Sequence, residues 1–334
     1  MSAEQIVSRS ATLLHRTPAT VRCSVATAPF MATDPEKNIA LWEEEGAKRM
    51  IGLLGSVRVE AARRSLDHSA HFHLTDLPVD ANPPASPYER DPPSRRIAVC
   101  VANTIGMVGA MKLRSFAYQD ENAGRILRHV APNRHAANEA SSQGWARALG
   151  WHIDGAYRPL NNSTAGPTNL FPAPRYLFWG AIYDEPQVPI TFACLSDVLQ
   201  QLTHADIEVL GKPLFDVASP DSFGLPTTTR NVSVLSSDGS GGYFIRFNED
   251  KISTTAVFAK NALDNLKNAL RETPPRRELF FNRGDVIALD NWKTVHARPR
   301  FTPRWNSRDR WLVRIYATPP EMLVALGNES RCVT

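Results

Sequence analysis

Between Arg175 and Tyr316 the chain returns repeatedly to short runs of β-branched, aromatic and aliphatic residues broken by turn formers. Arg175 to Tyr183 reads as a buried strand, Asp184 to Pro189 as a turn, and Ile190 to Cys194 as the strand completing that hairpin. Thr227 to Leu235, Tyr243 to Phe247, Glu278 to Phe281, Asp285 to Leu289 and Trp311 to Tyr316 follow as further strands. Helical signals between them are few and grouped. Ser196 can cap Asp197 to Leu202, Thr203 a second short helix to Leu210, and Thr254 to Leu270 carries apolar residues at helical spacing. Strands that do not alternate one by one with helices argue against a parallel α/β sheet. The expected fold is mainly β with helical decoration, a sandwich or barrel.

Upstream the signals are more mixed. Residues 1 to 33 show no clear period and read as an irregular lead-in. Asp34-Pro35 looks like a cap followed by proline at the first helical position, opening a surface helix that ends near Gly55. His71 and His73 share one face of a short strand, but with no carboxylate or third histidine nearby in sequence they read as surface or packing residues. The apolar run from Arg95 to Met111 is read as helix, and Tyr118 to Pro132 as a turn leading into a strand. No repeat or linker interrupts residues 60 to 318, so one domain over 34–334 is the economical organisation.

Composition narrows the function classes. With 43% apolar and 22% charged residues the chain is ordinary for a globular protein, and its net charge of +4 is scattered rather than blocked, which argues against nucleic acid or an anionic membrane as partner. Cys23, Cys100, Cys194 and Cys332 make no C-x-x-C pair, so neither a zinc site nor a disulfide framework is expected. The start carries no signal-like apolar run and no stretch approaches the roughly 20 residues needed to span a bilayer, so the expected location is cytoplasmic.

The chemistry begins at Trp151-His152-Ile153-Asp154-Gly155. On a strand, residues i and i+2 project to one face about 6 to 7 Å apart, so His152 and Asp154 can reach one metal ion. His296 is a candidate third ligand. Two histidines and one carboxylate on one face of a metal are the ligand set of non-haem Fe(II) oxygenases, which leave positions free for co-substrate and O₂. The tripeptide alone is common, and what accompanies it carries the reading.

A long block does accompany it: Gly284-Asp285 before a strand, Asp290-Asn291 before His296, Arg298-Pro299-Arg300-Phe301 after it, and Arg310-Trp311-Leu312-Val313-Arg314 at the close. This pattern resembles the Fe(II)/2-oxoglutarate oxygenases of the clavaminate synthase-like group, and within it the free amino acid hydroxylases such as asparagine oxygenase and arginine β-hydroxylase. Leu74 to Asp80 with the prolines after it, and Pro213 to Phe223, look like further segments of the family, so the likeness covers about residues 60 to 318.

The resemblance implies a double-stranded β-helix, or jelly-roll, core with His152, Asp154 and His296 as metal ligands and Fe(II), 2-oxoglutarate and O₂ as the cofactor set. It implies that Arg310, fourteen residues past His296, holds the far carboxylate of 2-oxoglutarate, and that Thr191 shares that task. A guanidinium suits the role because its fixed fork donates two parallel hydrogen bonds and keeps its charge when buried. The resemblance further implies that Arg314 meets a substrate carboxylate and Glu121 a substrate amino group. Aspartate stands where several members carry glutamate, and a retained carboxylate speaks against halogenation.

The implied activity is hydroxylation of an unactivated C–H bond of a free amino acid or similar small molecule, by a monomer or homodimer. Its rivals are desaturation, cyclisation or epoxidation by the same oxidant and, from another class, a non-catalytic jelly-roll binding protein. Trp151, Tyr157, Trp179 and Tyr183 are either core or pocket wall; as pocket wall they would favour an apolar, cyclic or cationic side chain.

Overall fold

Helices lead the described residues. A computed structural model describes residues 28–89, 91, 94–160, 170–220, 226–272, 277–324 and 331–333. Most of the expected lead-in, and Asp221-Ser222-Phe223 of the family-like segment, lie outside the described residues. Helix α1 (Ile39–Leu54) starts later than Pro35 because Asp34 closes a turn of its own. The Asp34 carbonyl accepts the Asn38 amide at 3.0 Å and its carboxylate the Glu36 amide at 3.1 Å. Gly55, at φ +76°, ends α1 and leads directly into α2 (Ser56–Ser69), which the sequence reading did not separate out. Its stripe of Val59, Ala62 and Leu66 is buried. Strand β1 (His71–Leu74) and helix α3 (Ala98–Ala110) follow. Helix α1 is no mere surface helix: Trp42 and Met50 are fully buried, and at Gly46 and Gly106 its backbone approaches that of α3 too closely for any Cβ.

The remaining elements begin with β2 (Arg114–Tyr118), β3 (Arg128–Val130), β4 (Leu149–His152), β5 (Tyr176–Tyr183) and β6 (Ile190–Cys194). Next come α4 (Leu195–Leu199), α5 (His204–Leu210), β7 (Phe215–Ala218), β8 (Thr228–Val232), β9 (Leu235–Ser237), β10 (Tyr243–Ile245), β11 (Ile252–Ser253) and α6 (Val257–Glu272). The chain closes with β12 (Arg277–Leu279), β13 (Val286–Asp290), β14 (Thr294–Arg298), β15 (Trp311–Thr318), α7 (Pro320–Val324) and β16 (Cys332–Val333). Thr203 caps α5 as expected, its side chain bonding the Asp206 amide while Asp206 reaches back to the Thr203 amide.

Two sheets matter for the site. One runs β1-β13-β5-β15-β2-β16 with β3 also on β15; the other runs β12-β6-β14-β4. Strands β5 and β6 are therefore not the hairpin that the sequence suggested. Both edges of β5 are taken, by β13 and β15, so the turn from Asp184 carries the chain across to the second sheet, where β6 lies between β12 and β14.

Strand alternation sorts the side chains into layers. From β5, Leu177, Trp179 and Ala181 face the space between the sheets, joined by Leu312 and Tyr316 of β15 and by Ile190 and Phe192 of β6. Phe178, Val313 and Ile315 face the other way, onto the helical layer of α1 and α3. The far side of the second sheet, through Ala193 and Val295, is covered by α6 with Ala262, Leu263 and Leu266. Burying both faces of each sheet explains why these strands read as nearly continuous apolar runs. Any polar group between the sheets must then find a partner there.

Candidate metal and co-substrate site

Strands β4 and β14 place the first two candidate ligands. His152 and His296 are a directly opposed cross-strand pair, so their rings project to the same face, with centroids 4.2 Å apart. Asp154 lies two residues beyond β4, and its position is fixed from the backbone. Asn291, fully buried, accepts the Asp154 amide on its side-chain oxygen at 2.9 Å and donates to the Asp154 carbonyl at 3.0 Å and the Pro174 carbonyl at 2.9 Å. Gly155 turns the chain away at φ +71°, with Pro174 and Ala173 against the place a Cβ would take. The Asp290-Asn291 motif thus acts through position: Asp290 bonds the Arg175 guanidinium at 2.6 Å and the Trp292 amide, and Asn291 holds Asp154.

The three ligand atoms converge. Asp154 Oδ1 is 3.6 Å from His152 Nε2 and 3.8 Å from His296 Nε2, and the donor atoms all lie within 4.8 Å of one another. Burial pushes both imidazoles down, His296 to about 3, so each presents a neutral ring. His152 donates Nδ1–H to the Gly150 carbonyl at 2.7 Å, which leaves the Nε2 lone pair for a metal. His296 Nδ1 is buried without a partner among the described residues. Burial works against the Asp154 charge, yet the Arg314 guanidinium holds its carboxyl below the usual range. This donor set fits Fe(II): two imidazole nitrogens and one anionic oxygen, all on one side.

A cavity between the sheets connects this triad with Arg310 at one end and with Arg314, Glu121 and Tyr316 at the other. Arg310 is 3% exposed and lies 4.0 Å through Nε from Asp184 Oδ2. The loop before it is fixed by Asp309, whose carboxylate accepts the Arg304 and Trp305 amides, each at 2.7 Å, and the Tyr88 hydroxyl at 2.8 Å. Arg314 donates at 2.9 Å to Asp154 Oδ2, the oxygen turned away from the histidines, and at 2.6 Å to Glu121. Glu121 also accepts from Tyr316 Oη at 3.0 Å and from Arg128 at 3.2 Å.

Of the expected site residues, His152, Asp154, His296, Arg310, Arg314 and Glu121 come together around this cavity. Thr191 does not. His296 pairs with Phe192, so Thr191, one residue away, faces the opposite side of the sheet beside Ala297, and Ile190 reaches the cavity instead. The expected aromatic wall divides. Tyr157 and Trp179 line the cavity, Trp151 belongs to the core beneath α6, and Tyr183 packs towards the helical layer with its hydroxyl on the Pro83 carbonyl at 3.3 Å. His71 and His73 serve structure, as expected, bonding the Ser69 carbonyl and Asp285 respectively.

Arg298, Tyr316 and Arg128 also line the cavity, and the sequence reading gave none of them a role. The first two had a signal, since Arg298 is two residues past His296 on β14 and Tyr316 two past Arg314 on β15, each on the same strand face as its neighbour. Arg128 had none, because only the pairing of β3 with β15 sets it opposite Arg314.

The donor set, two histidines and one carboxylate, is the one that mononuclear non-haem iron oxygenases use. No family model matches the chain. It is 26% identical over 290 residues to clavaminate synthase 2 of Streptomyces clavuligerus, which covers 85% of this chain and 82% of that protein. Its fold is similar to that of asparagine oxygenase solved with Fe(II), 2S,3S-3-hydroxyasparagine and succinate, at TM-score 0.70 and 22% identity over 86% of each chain. It is also similar to the non-heme iron oxygenase OrfP in complex with Fe and alpha-ketoglutaric acid, at TM-score 0.70 and 20% identity over 92% of this chain and 98% of that one. The recognition made from the sequence stands: the chain is a homologue of clavaminate synthase and has the mainly β fold, with helices, of these oxygenases.

Proposed function

We propose that the protein is an Fe(II)/2-oxoglutarate-dependent hydroxylase of a free amino acid or a closely similar small molecule, built as one catalytic domain whose two facing sheets form a double-stranded β-helix. The observation that carries this reading is the convergence of His152, Asp154 and His296 within 4.8 Å, in a cavity that also receives Arg310 and Arg314. A binding module needing only a metal has no use for two further buried guanidiniums. When bound, iron with 2-oxoglutarate and O₂ supplies the oxidising power, and 2-oxoglutarate leaves as succinate and CO₂.

The residues of the chain do the rest. His152 and His296 offer neutral nitrogens and Asp154 one oxygen, while Arg314 keeps the other Asp154 oxygen engaged. Arg310 is placed for the far carboxylate of the co-substrate. At the opposite end Arg314 uses one N–H on each of Asp154 and Glu121, which leaves other guanidinium donors for a substrate carboxylate. Glu121 is the acceptor for an ammonium group. Trp179 stands edge-on to the His296 ring, 5.9 Å between centroids, and with Tyr157 forms an apolar wall along which the reacting carbon can be held.

The test is direct. Anaerobically iron-loaded protein is mixed with 2-oxoglutarate, O₂ and a panel of free amino acids, and succinate and product masses are followed. A +16 product supports hydroxylation and a −2 product moves the reading to desaturation. Absence of succinate under every condition would sink the oxygenase assignment. His152→Ala and His296→Ala should each abolish the 2-oxoglutarate-to-iron charge-transfer absorbance.

A further inference from the structure

Arg298 follows His296 by two residues on β14, shares that strand face, is 6% exposed and lines the same cavity as Arg310. Its hydrogen bonds are few for a buried guanidinium. Nη1 donates to the Pro299 carbonyl at 3.1 Å, Nη2 reaches the Arg147 carbonyl at 3.4 Å, and Nε has no partner. Among the described residues no carboxylate pairs with it. Arg310 Nε likewise lacks a hydrogen bond, with Asp184 alone nearby at 4.0 Å.

The charge count at this end is unbalanced. Arg310 has one carboxylate near it, Asp184 at 4.0 Å, Arg298 has none among the described residues, and the acids lining the cavity are committed or remote: Asp154 to the metal site and Arg314, Glu121 to Arg314, Arg128 and Tyr316, and Asp250 exposed at the rim. Buried cations without a counter-charge are costly, so a site of this kind is built for an added anion.

We propose that Arg298 and Arg310 together hold the far carboxylate of the 2-oxoacid co-substrate, Arg298 taking the place that the family resemblance gave to Thr191. Two guanidiniums can then donate to the two carboxylate oxygens from different sides. The inference rests on the oxygenase reading above, and the experiment separates the two.

Isothermal titration of Mn(II)-loaded protein compares 2-oxoglutarate with 2-oxopentanoate, a monocarboxylate of the same chain length that ends in methyl. Wild-type protein should prefer 2-oxoglutarate strongly. In Arg298→Gln, 2-oxoglutarate affinity should fall about tenfold or more while 2-oxopentanoate changes less than about twofold, a split that a purely structural arginine would not produce. Arg298→Lys, which keeps the charge and loses the fork, should fall between, and gives the same comparison if the glutamine variant does not fold. Equal losses for both acids, or an undiminished preference in both variants, overturn the assignment of Arg298. Wild-type protein that does not distinguish the two acids overturns the 2-oxoglutarate reading itself.

Discussion

The two ends of the cavity handle charge in opposite ways. Around Glu121 the polar atoms satisfy one another: Arg314, Arg128 and Tyr316 all donate to one carboxylate, and Arg314 also ties that cluster to Asp154. Around Arg310 they do not. Arg298 Nε, Arg310 Nε and Asp184 Oδ2 are all buried without hydrogen bonds. A closed network can be remodelled by whichever substrate competes for its members, so it discriminates among ligands. An incomplete one is shaped for one fixed group of known charge, which suits a co-substrate that never changes.

The contrast breaks first at Arg310. Arg310→Gln removes the charge and the fork from a fully buried position, where lost charged hydrogen bonds cost about 3 to 5 kcal/mol. Affinity for 2-oxoglutarate should fall by roughly 100-fold or more, with Mn(II) affinity unchanged within about threefold. A loss below tenfold in a calorimetric titration would mean that this end is not where the co-substrate anchors.

Asp184 tests whether the charge imbalance is real. Burial, against the pull of Arg310, raises its carboxyl from 3.8 to about 6. The folded chain therefore holds this proton more tightly than the unfolded chain, so the stabilisation by protonation is full below about pH 4 and lost as pH rises through about 6. Compared with Asp184→Asn, the wild-type protein should lose about 3 kcal/mol of relative stability over that interval, with a flat difference on either side. Paired urea melts from pH 4 to pH 8 measure it, and an essentially flat difference across that range would show that Asp184 is held ionised by Arg310.

At the other end the expected effect is smaller and selective. Glu121→Gln keeps an acceptor for Tyr316 and removes the charge that Arg314 and Arg128 share. The KM of the amino acid substrate should rise about tenfold while 2-oxoglutarate affinity stays within about twofold, a cost of one charged hydrogen-bond set. Equal effects on both ligands would erase the division of the cavity into two ends.

How much of this was legible follows the same division. The meeting of His152, Asp154 and His296, and the place of Arg310 in the same cavity, were readable because each is tied to a spacing along one strand or to a motif that fixes a turn: Asp290-Asn291 holds Asp154, and Asp309 fixes the loop before Arg310. The mainly β fold was readable from its runs and turns, yet the pairing of β5 with β6 was misread. An apolar strand buried on both faces does not say which neighbour it takes. Helix α2 was passed over because Gly55 closes α1 and α2 begins at the next residue, leaving no loop to mark the boundary. Arg128 was beyond reach, since its place depends on pairing between distant segments. Thr191 was misassigned for a simpler reason: likeness to a motif fixes a residue's place along the chain to about one position, and on a strand one position is the difference between two faces.

That last point yields the smallest effect and the sharpest check on the geometry. Phe192 pairs with His296 and Ile190 lines the cavity, so the side chain between them points to the outer face of the second sheet. Thr191→Val replaces a hydroxyl by a methyl of similar size at a half-buried position outside the cavity, where substitutions change stability by about 0.5 kcal/mol or less. Neither 2-oxoglutarate affinity nor the charge-transfer absorbance should move by more than about twofold. If the affinity instead falls tenfold, the hydroxyl reaches the co-substrate after all. That would require β6 to shift its register against β14 by one residue, carrying Phe192 out of the interior and undoing the two-guanidinium arrangement as well.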